Sequence, residues 1–326
     1  MSTTIDKGVV LRLRGVSKSF DGTTVLKKLD LDVRRGETLV LLGENGAGKS
    51  TLKNILCGLI SSDGGELEFD GVIEGNWSAD RAKALGLSAI HQELSLFSNM
   101  SVAENVHILE LGKGTGGFIR SRALERDTNA LFRDLLGMEI DSSQLVGDLP
   151  LGQRQLVEIV KAIRSASSVL VLDEPTTSLS MAERQNLFTV MRRLRDAGYA
   201  LIHVTHFLRE VEEVGNKVAV MRDGEIVVFA EKGELTVRQI EEAMVGRELA
   251  EVTRRTDVVD PTTQRTVLEV KDLRDETLLT GISFSVRSGE IVGIAGLTGA
   301  GRSELMHSII GLRECEGTII LDDILY

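Results

Sequence analysis

Apolar residues along this chain fall into two alternating patterns, short continuous runs and stripes with helical spacing. Continuous runs of strand length occupy Thr38–Leu42, Val169–Leu172 and Ala200–Val204, as expected of strands that are buried on both faces. Stripes at the i, i+3, i+4 spacing occupy Ser50–Cys57 and Ala182–Asp196, so these segments are predicted to be amphipathic helices. Because buried strands alternate with helices, the pattern predicts an α/β fold with a mainly parallel sheet.

The pattern is also duplicated. Gly36-Glu37, Gly43 and Gly46-Ala47-Gly48 recur, in the same order and at the same spacing, as Gly289-Glu290, Gly296 and Gly299-Ala300-Gly301. Both copies have the order apolar strand, glycine-rich loop, helix and short strand, which predicts a duplicated domain. We therefore expect a first domain at 1–246, mostly helical over about 94–165, a polar linker at 247–265 and a second domain at 266–326.

Composition narrows the classes of protein that remain. The 326 residues carry 38 Lys+Arg against 49 Asp+Glu, a net charge of -11, which disfavours nucleic acid as a partner. The two cysteines, Cys57 and Cys315, form no disulfide framework and suggest reduced thiols in a cytoplasmic protein. Residues 1–8 resemble no signal peptide, and no apolar run reaches the ~18 residues of a membrane helix.

A phosphate-binding loop is predicted between the first buried strand and its helix. Gly43–Ser50 fits G-x-x-x-x-G-K-[ST], in which glycines let backbone N–H groups surround phosphate oxygens at a helix N-terminus. Lys49 adds a cation for the β- and γ-phosphates, and the Ser50 hydroxyl can bind Mg²⁺. The predicted nucleotide-binding residues of this loop are Gly43, Glu44, Asn45, Gly46, Ala47, Gly48, Lys49, Ser50 and Thr51.

Two carboxylates end the second buried strand. Asp173 and Glu174 follow Val169–Leu172, at the sheet edge where open α/β sheets bind ligands. We expect Asp173 to hold Mg²⁺, directly or through water, and Glu174 to accept a proton from the attacking water or to orient it.

A third motif makes the resemblance specific. Leu149-Pro150-Leu151-Gly152-Gln153, followed by a helix and the strand that ends in Asp173, resembles the signature of ATP-binding-cassette (ABC) ATPases. The resemblance implies a P-loop NTPase fold, an ABC-type nucleotide-binding domain with a helical subdomain, plus the N-terminal part of a second such domain. It also implies four roles: Phe20 stacks on adenine, Gln92 binds Mg²⁺ and nucleotide, Ser178–Ser180 form the D-loop, and His206 contacts the γ-phosphate.

Three departures from the family pattern affect the expected activity. Arg302 stands in the second glycine-rich loop where Lys49 stands in the first, so we do not expect efficient hydrolysis there. Pro150 replaces the usual signature serine, so we expect the Gly152 N–H and its helix N-terminus to bind the γ-phosphate instead. The second copy stops before its own later motifs, so we expect a truncated chain that binds Mg·ATP but hydrolyses it slowly, unless two first cassettes pair.

The chain is similar to the ATP-binding subunits of bacterial monosaccharide importers of the ribose, galactose and xylose type. The similarity rests on the tandem cassettes and on three segments, Gly299–Ser303, Leu151–Ile159 and Met244–Glu248. This implies ATP, membrane permease subunits, a sugar-binding protein and a second cassette as partners, with the chain peripheral on the cytoplasmic face of the inner membrane. A nucleoside importer ATPase and a non-catalytic truncated remnant remain as alternatives. A soluble cassette protein acting on ribosomes or DNA is disfavoured by Arg302 and the net charge.

Overall fold

The computed structural model describes residues 8–91, 94–109, 111, 121–164, 168–246, 264–296 and 299–325. The chain divides into two compact units, Met1–Leu249 and Ala250–Tyr326. Of the predicted linker at 247–265, residues 247–263 lie outside the described residues.

The first unit alternates strands and helices. Its strands are β1 (Val9–Phe20), β2 (Thr23–Arg34), β3 (Thr38–Leu42), β4 (Gly64–Phe69), β5 (Val72–Ile73), β6 (Leu87–Ile90), β7 (Val169–Asp173), β8 (Ala200–Thr205), β9 (Lys217–Arg222) and β10 (Glu225–Glu231). Its helices are α1 (Lys49–Leu56), α2 (Ala79–Ala84), α3 (Val102–Val106), α4 (Ser121–Leu131), α5 (Leu151–Arg164), α6 (Met181–Asp196), α7 (Arg209–Val214) and α8 (Val237–Val245). A π-helical turn, Phe132–Leu136, extends α4, and a 3-10 turn, Val146–Asp148, precedes α5.

A six-stranded sheet in the order β10-β9-β3-β8-β7-β6 forms the centre of this unit. The strands β3, β6, β7, β8 and β9 run parallel, as the apolar runs predict, and β10 is antiparallel to β9. Every residue of β3 is buried, because the strand lies between β8 and β9 and is covered on both faces. Leu39 and Leu41 pack in one core cluster with α1, whereas Val40 and Leu42 pack in another with α7 and α8.

The first unit also has a separate antiparallel sheet, in the order β2-β1-β4-β5. The predicted mainly parallel sheet is therefore only one of its two sheets. Leu11, Leu13 and Leu31 of this sheet are buried in the same cluster as Leu52 of α1. The dipeptide Asp21-Gly22 is typical of a hairpin turn and indicates the β1–β2 pair. It does not indicate a second layer, because β4, the other partner of β1, follows helix α1 in the sequence.

Helices α3, α4 and α5 pack around Phe132, Leu136, Val157 and Ile159, in a cluster that also includes Phe188 of α6. Loops separate these helices, and the extent of a helical subdomain over about 94–165 stays a prediction. Among the described residues, no helix is long and apolar enough to cross a membrane.

The second unit repeats part of the first. Its elements are β11 (Thr266–Arg274), β12 (Thr280–Arg287), α9 (Arg302–Ile309), β13 (Glu316–Leu321) and β14 (Ile324–Leu325). Its sheet order, β12-β11-β13-β14, corresponds to β2-β1-β4-β5. The prediction of a strand before the second glycine-rich loop is wrong. Residues 290–296 have no regular secondary structure, and Ile291 is 93% exposed. The corresponding strand β3 depends on the neighbours β8 and β9, and the described part of this unit forms no such neighbours.

Candidate functional site

Three of the predicted motifs meet at the carboxyl-terminal edge of the six-stranded sheet. Gly43 follows β3, Glu174 follows β7 and His206 follows β8, which lies between the other two strands. The register pairs Leu42 with Thr205 and Asp173 with Val204, so the three strands end at nearly the same level. In parallel sheets this edge is where ligands bind.

The loop between β3 and α1 requires glycine at two positions. Gly48 has a φ of 99°, and a Cβ there would lie 2.7 Å from Leu26 Cδ2 and 3.2 Å from the Val25 carbonyl oxygen. A Cβ at Gly43 would lie 2.6 Å from the Met221 carbonyl oxygen. Helix α1 begins at Lys49 without a side-chain cap, so its first N–H groups stay available to an anion.

The side chain of Lys49 lies inside the glycine-rich loop, where it can bind a phosphate group. Its side chain is buried, and Nζ donates to the carbonyl oxygens of Gly43 and Glu44 at 2.7 and 2.9 Å. Burial lowers the pKa of Lys49, and the carboxylates of Glu174, Asp173 and Glu44 oppose this shift. The cation is thus held inside the loop by neutral acceptors that phosphate oxygens can replace.

Asp173 lies beside a cation that sequence reasoning missed. Lys53 Nζ is 2.8 Å from Asp173 Oδ2, and the two side chains are only 11% and 16% exposed. Asp173 and the Ser50 hydroxyl supply the hard oxygen ligands that Mg²⁺ prefers when it is shared with substrate phosphates. The donor set therefore fits a magnesium ion. Gln92, the other predicted ligand, lies outside the described residues.

Glu174 and His206 contact each other across the ends of β7 and β8. Glu174 Oε1 is 3.1 Å from His206 Nδ1, and Oε2 accepts from Thr177 Oγ1 at 3.3 Å. The backbone of Glu174 has a φ of 45°, while its N–H donates to the Val204 carbonyl oxygen. Left-handed backbone at a non-glycine residue costs free energy and is concentrated at functional sites. Both groups are positioned to act on a water molecule or a phosphate at this edge.

The two histidines of β8 and its following loop have different environments. His206 is partly exposed, and its ring packs on Phe207 with centroids 4.1 Å apart; Arg184 lies 5.3 Å from that phenyl ring. His203 is fully buried, and its Nε2 is 2.7 Å from Glu210 Oε2. His203 is therefore part of the interior, while His206 lies at the sheet edge beside Glu174.

Phe20 ends β1 and presents an accessible ring. It is 43% exposed, and Lys18 Nζ lies 5.4 Å from the ring centroid. A tight turn separates it from β2, whose Val25 and Leu26 contact Gly48. The fold thus places this aromatic residue on the hairpin that supports the phosphate-binding loop. Its stacking on adenine stays a prediction.

The signature segment lies at the start of a helix. Helix α5 begins at Leu151, and its Gly152 N–H donates to Glu183 Oε1 at 3.0 Å. The other oxygen, Oε2, accepts from the backbone N–H and hydroxyl of Ser180. The Gly152 N–H is thus bonded within the chain in this structure, and its binding of the γ-phosphate stays a prediction. The carboxylate of Glu183 therefore accepts from backbone N–H groups at the starts of both α5 and α6, and the Ser180 hydroxyl is the N-cap of α6.

We expect Glu183→Ala to lower the free energy of unfolding of the first unit by about 1–2 kcal/mol, because the start of α5 loses its acceptor at Gly152 and α6 loses the return bond of its capping box, while the Ser180 hydroxyl still caps α6. The hydrogen bonds from Ser180 and Gly152 lower the pKa of Glu183. Its contribution is therefore complete above its unfolded pKa of about 4.3 and is lost as pH falls through the lower folded pKa. The stability difference between parent and variant is expected to shrink as the solution is acidified.

Urea unfolding followed by the fluorescence of Trp77 measures this difference, since the single tryptophan donates to the Ile55 and Leu56 carbonyl oxygens at the end of α1. Glu104→Ala is the matched control, because Glu104 belongs to a capping box that serves α3 alone. An equal loss in both variants would contradict the double cap.

Comparison with known proteins agrees with this geometry. The profile of the ABC transporter family matches residues 26–177 and 279–325. The chain is 41% identical, over 96% of its length, to a putative ribose/galactose/methyl galactoside import ATP-binding protein of Burkholderia ambifaria, and 41% identical over 96% to a ribose import ATP-binding protein of Rubrobacter xylanophilus. It spans 60% and 61% of the lengths of these relatives.

Solved structures show the same fold. A nucleotide-free ATP-binding cassette from an ABC transporter matches with a TM-score of 0.61 at 23% identity, covering 73% of this chain and 95% of that structure. A dimeric cassette with ADP and phosphate bound matches with a TM-score of 0.58 at 22% identity, covering 69% of this chain and all of that structure, 100%. With the phosphate-binding loop, the strand-end carboxylates and the signature segment in one unit, the chain belongs to the ABC transporter family, with the P-loop NTPase fold of its ATP-binding cassettes.

Proposed function

We propose that the first unit binds Mg·ATP and hydrolyses it at the edge formed by β3, β8 and β7. The observation that carries this proposal is the 3.1 Å contact between Glu174 and His206, beside the loop that holds Lys49. A carboxylate, an imidazole and a buried lysine at one sheet edge provide a proton acceptor, a polar contact for the terminal phosphate and a counter-charge.

Each residue has a distinct part in this proposal. The N–H groups of the glycine-rich loop and Lys49 bind the phosphates, and Lys49 exchanges its carbonyl acceptors for phosphate oxygens. Glu174 accepts the proton of the attacking water, and His206 orients that carboxylate and the terminal phosphate. Ser50 and Asp173 hold Mg²⁺, which, when bound, neutralises phosphate charge.

We further propose that the chain is the ATP-binding subunit of a monosaccharide importer. Two relatives that match 96% of the chain are named import ATP-binding proteins for ribose, or for ribose, galactose and methyl galactoside. The partners proposed on this basis are membrane permease subunits, a sugar-binding protein that feeds them, and a second cassette. The proposed location is the cytoplasmic face of the cell membrane, as a peripheral subunit.

Uptake of labelled sugars in the native cells tests this proposal. Deleting the gene is expected to lower the uptake of one monosaccharide by at least about tenfold, since import against a gradient needs the ATPase. A gene for the parent protein or for the control variant Lys217→Met, returned to the deletion strain, is expected to restore uptake. A gene for Glu174→Gln is not expected to restore it. Unchanged uptake of ribose, galactose and xylose would contradict sugar import, and loss of nucleoside uptake instead would favour the nucleoside alternative.

A further inference from the structure

Lys53 is a buried cation that the proposed chemistry does not use. It lies on α1, three residues after Ser50 and four after Lys49, so its side chain neighbours each of these two on the helix surface. Its residue exposure is 9%, and its ammonium group reaches Asp173 Oδ2 at 2.8 Å. A lysine with a long flexible stem is rarely buried unless it is paired.

The pair is placed where it affects metal binding. Asp173 is the carboxylate proposed to hold Mg²⁺, and Lys53 already neutralises it in this structure. The pair is shielded from water, so the charges interact more strongly than in an exposed ion pair. A divalent cation arriving at Asp173 therefore meets a carboxylate whose charge is balanced, and it is repelled by the neighbouring ammonium group.

The same helix links this pair to the nucleotide. Helix α1 carries Ser50, the other proposed Mg²⁺ ligand, and its first turn continues the glycine-rich loop. Phosphates bound there bring negative charge close to both Lys49 and Lys53. Nucleotide binding thus offsets the positive charge that otherwise opposes the metal.

We propose that Lys53 is a positioning residue for the metal: it neutralises Asp173 while the site is empty and makes tight Mg²⁺ binding depend on the phosphates of the nucleotide. This inference rests on the proposed function of the first unit as an ATP site. Lys53 touches neither substrate nor reacting atoms in this role. It acts through Asp173.

The experiment compares the affinity for a fluorescent ATP analogue in EDTA and in saturating Mg²⁺, and it needs no turnover. Removing Lys53 leaves Asp173 without its counter-charge, so Lys53→Met is expected to weaken binding in EDTA and to strengthen the effect of Mg²⁺. The ratio of the two dissociation constants is expected to rise by about tenfold or more, because a unit charge near a divalent ion is removed in a partly buried site.

Three further variants separate a metal-positioning role from a structural one. Lys53→Arg keeps the charge and is expected to keep the ratio near that of the parent. Lys217→Met is the matched control, because Lys217 is 12% exposed and paired with Glu37 and Glu231 near the amino-terminal end of the sheet. In the Asp173→Asn background, Lys53→Met is expected to lose its effect on the ratio, since the two residues act as a pair.

The outcomes are distinguishable. A parent protein that binds no ATP analogue would overturn the proposed function and the role of Lys53 with it. A parent whose binding responds to Mg²⁺, together with an unchanged ratio in Lys53→Met, would overturn the role of Lys53 alone. If the methionine variant does not fold, as judged by circular dichroism, Lys53→Gln gives the same test with a polar side chain, and an unchanged ratio there would overturn the role equally.

Discussion

Lys49→Ala is expected to weaken the binding of Mg·ATP by about 10²-fold, because a charge-assisted contact to phosphate contributes about 3 kcal/mol. The structure indicates that this loss is one of binding and not of folding. The hydrogen bonds of the buried ammonium group go to the carbonyl oxygens of Gly43 and Glu44, which are neutral acceptors of the loop itself. Removing a buried cation of lowered pKa relieves a cost of burial, so the loop is expected to keep its shape.

Titration with a fluorescent ATP analogue measures this effect, and urea unfolding followed by Trp77 checks that the fold persists. Lys217→Ala is the control, because it removes a lysine of comparable burial at the far end of the sheet. An affinity equal to that of the parent would contradict the assignment of the phosphate-binding loop.

Glu174→Gln is expected to retain ATP binding and to lower the rate of hydrolysis by about 10²-fold or more, the effect of removing a general base. The amide keeps the size of the side chain and can still hydrogen-bond His206 Nδ1 and Thr177 Oγ1, the present partners of the carboxylate. It cannot accept a proton from water at neutral pH. The change therefore separates proton transfer from positioning.

Phosphate release in a complex with the permease, or in the chain alone if it turns over, measures the rate. Glu212→Gln makes the same chemical change on the exposed surface of α7 and is expected to leave the rate unchanged. Turnover of Glu174→Gln at the parental rate would reject the role of this carboxylate, and loss of ATP binding would assign it to binding instead.

Local patterns predicted the elements that carry the site. The run Thr38–Leu42 has the same bounds as β3, because a parallel strand that is buried on both faces consists mostly of apolar residues. In each segment that follows β3 or β7, the functional residues are close together in the sequence. Motifs were therefore sufficient to place Lys49, Asp173 and Glu174 at one edge of the six-stranded sheet.

Contacts distant in sequence were not predictable from the same patterns. The spacing Ser180-x-x-Glu183 indicates a capping box, but the second bond of Glu183, to Gly152, crosses 31 positions. The pairing of Lys53 with Asp173 crosses 120 positions, and only the spacing of Lys53 from Lys49 on one helix hints at it. Likewise, apolarity alone predicted a strand at 290–296, although a parallel strand also needs neighbours to bond with.

The exposure of that segment has a practical consequence for handling the protein. Ile291, Val292 and Ile294 are 93%, 40% and 40% exposed, so an apolar strip faces solvent in the second unit. Sulfate and phosphate salts strengthen the association of exposed apolar surface, because they are excluded from it. We therefore expect this strip to lower the solubility of the chain in such salts. Purification and crystallisation of the chain call for chloride buffers of moderate ionic strength, since ammonium sulfate would precipitate it early.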